Sequence, residues 1–177
     1  MKALCNANIE VLNQLKELIA CCENVYIKPT DSAHAGIGDH VRHVLDHYRA
    51  LRNGLVNGQV DYNFRTRNSP EQIDSKHALD NIQELINWLA QLESIDHRIQ
   101  VISEINLHRC QSQQMPSTIE RELLYLINHS IHHMAYASLL ASTRGVCVPH
   151  HIGLAPGTAT YERQQLEREH KYVETAE

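Results

Sequence analysis

Two groups of histidines carry the chemistry most readable in this chain. Asn128-His129-Ser130-Ile131-His132-His133-Met134 lies inside an apolar-periodic run beginning near Ser117. At about 100° per residue on a helix, His129 and His133 project about 40° apart, one turn from each other. Imidazoles spaced i and i+4 can hold one divalent ion from one side. An earlier helix-like stretch presents His40, His43 and His47, which share a band about 60° wide beside its apolar stripe. Three neutral imidazoles drawn from the two groups would leave coordination positions for water or a substrate atom, the pattern of catalytic metals. The alternative is a set of surface or hydrogen-bonded core histidines that bind nothing.

The elements that must position these residues follow from apolar spacing. Leu4, Ile9, Leu12, Leu15, Leu18 and Ile19 give helical period over residues 3–23. Lys28-Pro29-Thr30-Asp31-Ser32 ends that helix and opens a loop. A second helix runs from Ala33 or Gly38 to Arg52, with Ile37, Val41, Val44, Leu45, Tyr48, Leu51 and Leu55 inward and Asn53-Gly54 as its stop. Residues 56–70 read as an irregular connection. Ser69-Pro70-Glu71-Gln72 predicts the start of a third helix over Pro70–Leu92, with Trp88 packing near its end. The β-branched stretch around Ile99–Ile105 predicts a small strand or hairpin within residues 97–115. Ser117-Thr118-Ile119-Glu120 reads as a capping box for a fourth helix, Ser117–Thr143, stopped by Arg144-Gly145. From about residue 146 the chain should be coil, with Glu162–Glu174 charged and either helical or frayed. The expectation is an all-α single domain over 1–177, a four-helix bundle with a small hairpin or irregular insert between helices three and four.

Composition narrows the function classes. The chain has 177 residues and a net charge of −5 with no basic run, which gives nucleic-acid binding little electrostatic support. No apolar stretch reaches the roughly 20 residues of a membrane span. The first residues, Met1–Asn6, hold no long apolar region of the signal-peptide kind. The cysteines Cys5, Cys21, Cys22, Cys110 and Cys147 are odd in number and lack C-x-x-C spacing, which suits a reducing cytoplasm.

On helix two, Ile37-Gly38-Asp39-His40-Val41-Arg42-His43-Val44-Leu45-Asp46 resembles a segment of the DinB/YfiT-like proteins, and His129-Ser130-Ile131-His132-His133 resembles their later H-x-x-H-H segment. The resemblance covers helices two and four, in the family's order. It implies a four-helix bundle holding a divalent metal on His43, His129 and His133, with His47 and His132 as rivals on the two helices. It also implies Lewis-acid activation of a thiol or of water, as in a metal-dependent S-transferase or hydrolase. A low-molecular-weight thiol cosubstrate, a small-molecule substrate and a homodimer belong to the same expectation. Imidazole ligands suit zinc, nickel, iron and copper alike. The chain departs from many relatives in having Met134-Ala135-Tyr136 where R-G-Q often follows. The alternative reading is a non-catalytic metal-binding or stress-associated interaction bundle.

Secondary candidates sit outside the helices. Tyr62, Arg65 and Arg67 occupy the connection after helix two, in a run similar to one branch of the same family. Arginine forks suit carboxylates, so these three are the expected substrate-binding residues. Asp46 points about 60° away from His43, too far to orient it as a carboxylate partner. Arg121-Glu122 reads as a surface or inter-helix ion pair, and Gly153–Thr158 as structural coil without a nucleotide-loop lysine. Cys147 beside His150 and His151 reads as neighbours in coil rather than as a nucleophile with its base.

Overall fold

The structure is a computed structural model that describes residues 1–27, 35–93 and 98–174. It is mostly helical with one small sheet. The loop expected at Lys28–Ser32, and Ala33 as a start of helix two, lie outside the described residues.

Helix α1 spans Lys2–Cys21 and buries Val11, Leu12, Leu15, Leu18 and Ile19, the stripe its period demands. Helix α2 spans Ile37–Gly54. The Asp39 carboxylate accepts from the Gly36 backbone N–H at 2.7 Å, which closes the first turn where those donors lack helical partners. Gly38 lies so close to a neighbouring turn that a Cβ there would fall 2.1 Å from the Gln72 carbonyl oxygen. Helix α4 spans Ile119–Thr143. The α2 and α4 faces pack together, and each of the helices α1 to α4 has two of the others as main neighbours.

A buried polar knot fixes the register of three of these helices. Asn8 on α1 donates to the Leu4 carbonyl at 2.8 Å and to the Leu123 carbonyl of α4 at 3.1 Å, and accepts from the Tyr48 hydroxyl of α2 at 2.8 Å. Asn8 and Tyr48 are fully buried, so a slip of either helix would strand polar groups without water.

Several expected boundaries move. Pro70–Gln72 is a short 3-10 turn, and helix α3 begins only at Ser75 and runs to Gln91. Its N-cap is Asp74, whose carboxylate accepts from the Lys76 and His77 N–H groups. Asp74 outcompetes the Ser69-Pro70 signal because it satisfies two terminal donors at once. The cap of α4 is Thr118, which accepts from the Arg121 N–H at 3.2 Å, while Ser117 turns to Glu122 instead. The predicted hairpin is present as β2, Arg98–Glu104, antiparallel to β3, Ser112–Thr118. A further strand, β1 at Gln59–Asp61, lies in the connection expected to be irregular and pairs parallel with β2, giving the order β1-β2-β3. The sheet is thus an addition to the all-α expectation.

The coil expected from about residue 146 gives way to α5, Pro156–Glu174, so the helical alternative for Glu162–Glu174 is present and begins six residues earlier. Among the described residues of this region, the segment after α4 and before Pro156 is irregular, and it lies on α4. Ile152 is buried, and Gly153 has φ 75° with its backbone so near α4 that a Cβ would meet the Ala135 nitrogen at 2.5 Å.

Candidate metal centre

The α2–α4 interface brings the two histidine groups together. One ring nitrogen each from His43, His129 and His133 forms a set whose members lie within 4.8 Å of one another. His43 Nε2 and His129 Nε2 are 3.0 Å apart. The His43 and His133 ring centroids are 4.4 Å apart and those of His129 and His133 4.6 Å. The i,i+4 spacing on α4 supplies one edge of this triangle, and the α2–α4 packing supplies the other two.

The remaining histidines occupy distinct places around it. His47 is buried one turn after His43, and its Nδ1 hydrogen-bonds the His43 carbonyl oxygen at 3.0 Å. A carbonyl only accepts, so Nδ1 carries the proton and Nε2 keeps its lone pair. The His47 ring lies 4.0 Å from that of His129 and stacks on Tyr62 at 5.2 Å. His40 meets His133 through their Nδ1 atoms at 3.0 Å, and the His40 Nε2 is buried without a hydrogen-bond partner among the described residues. His132 is exposed, on the flank of α4.

Burial holds this cluster neutral. The imidazoles of His43, His47, His129 and His133 are pushed down to about 2, 4, 3 and 3 respectively, first by loss of hydration. In His43, His129 and His133 the next contribution is repulsion from a neighbouring imidazole. His40 is lowered as well, again chiefly by burial. Four adjacent neutral imidazoles offer lone pairs at ordinary pH, which is the state a transition-metal ion requires.

An open cleft of about 730 Å³ leads to the triangle, lined by Asp39, His40, Arg42, His43, Arg65, Arg67 and His133 among others. The expected Arg65 and Arg67 therefore reach the site. Arg65 Nη1 donates to His43 Nδ1 at 2.7 Å and lies 3.5 Å from its Nε2. The loop that carries the two arginines is pinned by Asp46, whose carboxylate accepts the Thr66 N–H at 3.2 Å and pairs with Arg42. Asp46 contacts no imidazole among the described residues; it positions the arginine loop.

Tyr62, the third expected substrate residue, stands behind the histidines. It is buried, and its hydroxyl donates to Glu122 at 2.9 Å. Glu122 also accepts from the Ser117 hydroxyl. The surface or inter-helix ion pair expected for Arg121-Glu122 is corrected by this arrangement: Glu122 is 5% exposed and bonded to hydroxyls. Arg121 is exposed, with its guanidinium 5.9 Å from the Tyr125 ring centre. Tyr62, Glu122 and Tyr125 line a smaller cavity of about 270 Å³ on the sheet side. The inward direction of Glu122 was available in the helical period, since it lies beside Leu123 and one turn before Leu126.

Comparison with known proteins is sparse. A segment of 109 residues is 31% identical to FK506-binding protein 5 of Rhizopus delemar. The match covers 60% of this chain and spans 28% of the length of that curated relative. No family model matches the chain, and no solved structure matches it.

Proposed function

We propose that this chain is a metal-dependent protein of the DinB/YfiT-like kind, its helices α1 to α4 forming that family's bundle. His43, His129 and His133 would hold a divalent cation. The carrying observation is a set of ligand nitrogens within 4.8 Å, contributed by two helices and facing an open cleft. The donor set fits the ion: the three imidazoles are held neutral by burial rather than protonated. When bound, such an ion acts as a Lewis acid that makes a thiol or water nucleophilic near neutral pH.

The chain's own groups then have defined tasks. His47, locked by the His43 carbonyl, packs the His129 ring in place. Arg65 and Arg67 offer guanidinium forks to a carboxylate of a small-molecule substrate or of a low-molecular-weight thiol cosubstrate. Tyr62 supports His47 from behind by stacking, and its hydroxyl is committed to Glu122. S-transfer and hydrolysis are the two reactions this arrangement serves; a homodimer in the cytoplasm is the setting we propose for it. No described helix is long and apolar enough to cross a membrane.

One observation favours a second reading. His47, whose proton sits on Nδ1, belongs to the same imidazole cluster, so a fourth protein ligand could close the site and make it structural. The name of the Rhizopus protein attaches FK506 binding to that protein alone, and the proposal takes nothing from it. Elemental analysis of the purified chain, followed by a thiol-consumption screen against small electrophiles, separates the readings. Metal-dependent thiol consumption supports catalysis. A bound ion without any such reaction, coordinated by four imidazoles, supports the structural site.

A further inference from the structure

The contact between Arg65 and His43 conflicts with ion binding at His43, and the conflict has a use. A guanidinium carries only donors, so the 2.7 Å contact makes His43 Nδ1 an acceptor. In a neutral ring the proton then sits on Nε2, from which it is donated to His129 Nε2 at 3.0 Å. Yet Nε2 is the nitrogen that faces His129, and a protonated nitrogen has no lone pair for an ion. Ligation through Nε2 moves the proton to Nδ1, where it would abut the Arg65 donor. The positive guanidinium also repels a cation a few ångströms away.

Arg65 is free to leave. Its side chain is exposed, while its loop stays anchored one residue later through Thr66 and Asp46. The cleft that would receive it already holds Arg42 and Arg67 against a single lining carboxylate, Asp39. Arg42 is paired with Asp46 and Asp39 with the Gly36 N–H, so neither offers Arg65 a new partner. A displaced guanidinium there calls for an anion from outside.

We propose that Arg65 is a gate linking metal and substrate: it caps His43 in the metal-free protein and, once displaced by the ion, binds an anionic group of the substrate, of the carboxylate class. The proposal rests on the three-histidine site proposed above. Metal and anion then favour each other's binding, because each is served by the same movement of one side chain.

The test uses the full chain and Zn²⁺, titrated against a chromophoric chelator, in the wild type, Arg65→Met and Arg65→Lys, with and without acetate. The gate predicts that Arg65→Met binds Zn²⁺ about tenfold more tightly than the wild type, since both a charge and a competing donor are gone. Arg65→Lys, which keeps both, should stay within about threefold of the wild type. Acetate should tighten Zn²⁺ binding in the wild type and not in Arg65→Met. Equal or weaker binding by Arg65→Met, or Arg65→Lys matching Arg65→Met, overturns the gate. Equal tightening by acetate in the wild type and Arg65→Met overturns its anion role. A wild type that binds no Zn²⁺ fails at the earlier step and removes the three-histidine site along with the gate.

Discussion

Acid should unfold the metal-free protein through its histidines before its carboxylates titrate. His47 sets the scale, because it is 5% exposed and packed between Tyr62 and His129. Its folded-state value is about 4, against an ordinary 6.5. The unfolded chain therefore binds a proton across that window while the folded chain does not. Stability is full above about pH 6.5 and falls as the pH drops toward 4. At about 1.4 kcal/mol per pH unit, His47 alone accounts for roughly 3 kcal/mol across the window. His43, His129 and His133 are displaced in the same direction and steepen the fall. The assay is urea denaturation in the presence of a chelator at several pH values between 7.5 and 5, above the range where ordinary carboxylates titrate. The midpoint should fall steadily with acid, and His47→Gln, neutral at every pH and still able to donate to the His43 carbonyl, should flatten the slope by about one proton. A wild-type midpoint constant over this range, or a His47→Gln slope equal to the wild type's, would refute the reasoning.

Two further substitutions probe the parts that position the site. Asp46→Ala removes a 4% exposed carboxylate and leaves the Arg42 guanidinium unpaired beside the arginine loop. A loss of about 3 to 5 kcal/mol is expected in chemical denaturation, with faster hydrogen exchange at Thr66. Gly153→Ala places a Cβ against the Ala135 backbone at a left-handed φ of 75°. It should cost about 1 to 3 kcal/mol by the same measurement and release the segment that precedes α5.

Period and end signals made the helical half of the site readable. His40, His43 and His47 beside one apolar stripe, and His129 and His133 beside another, required only that α2 and α4 be neighbours, and they are. What stayed hidden depended on partners distant in the chain. Strand β1 has three residues, Gln59–Asp61, and exists because Gln100–Ile102 pair with it in parallel; a run that short has no period of its own. Strand β3, Ser-Gln-Gln-Met-Pro-Ser-Thr, is poor in strand-forming residues and is held by its partner β2. Asp74 is hidden in the sequence because Ser69-Pro70-Glu71-Gln72 offers a good helix start of its own a few residues earlier. The Arg65–His43 contact joins a loop to a helix and leaves no spacing to read.

The central claim is that imidazoles of His43, His129 and His133 share one cation, and Zn²⁺ titration of the wild type against His129→Ala tests it most directly. His129→Ala removes one of three ligand nitrogens together with the packing of its ring on His47 and Tyr125. The wild type should bind one equivalent per chain, and His129→Ala should bind at least about a hundredfold more weakly with its fold retained by circular dichroism. Equal affinity in the two proteins would contradict the shared site.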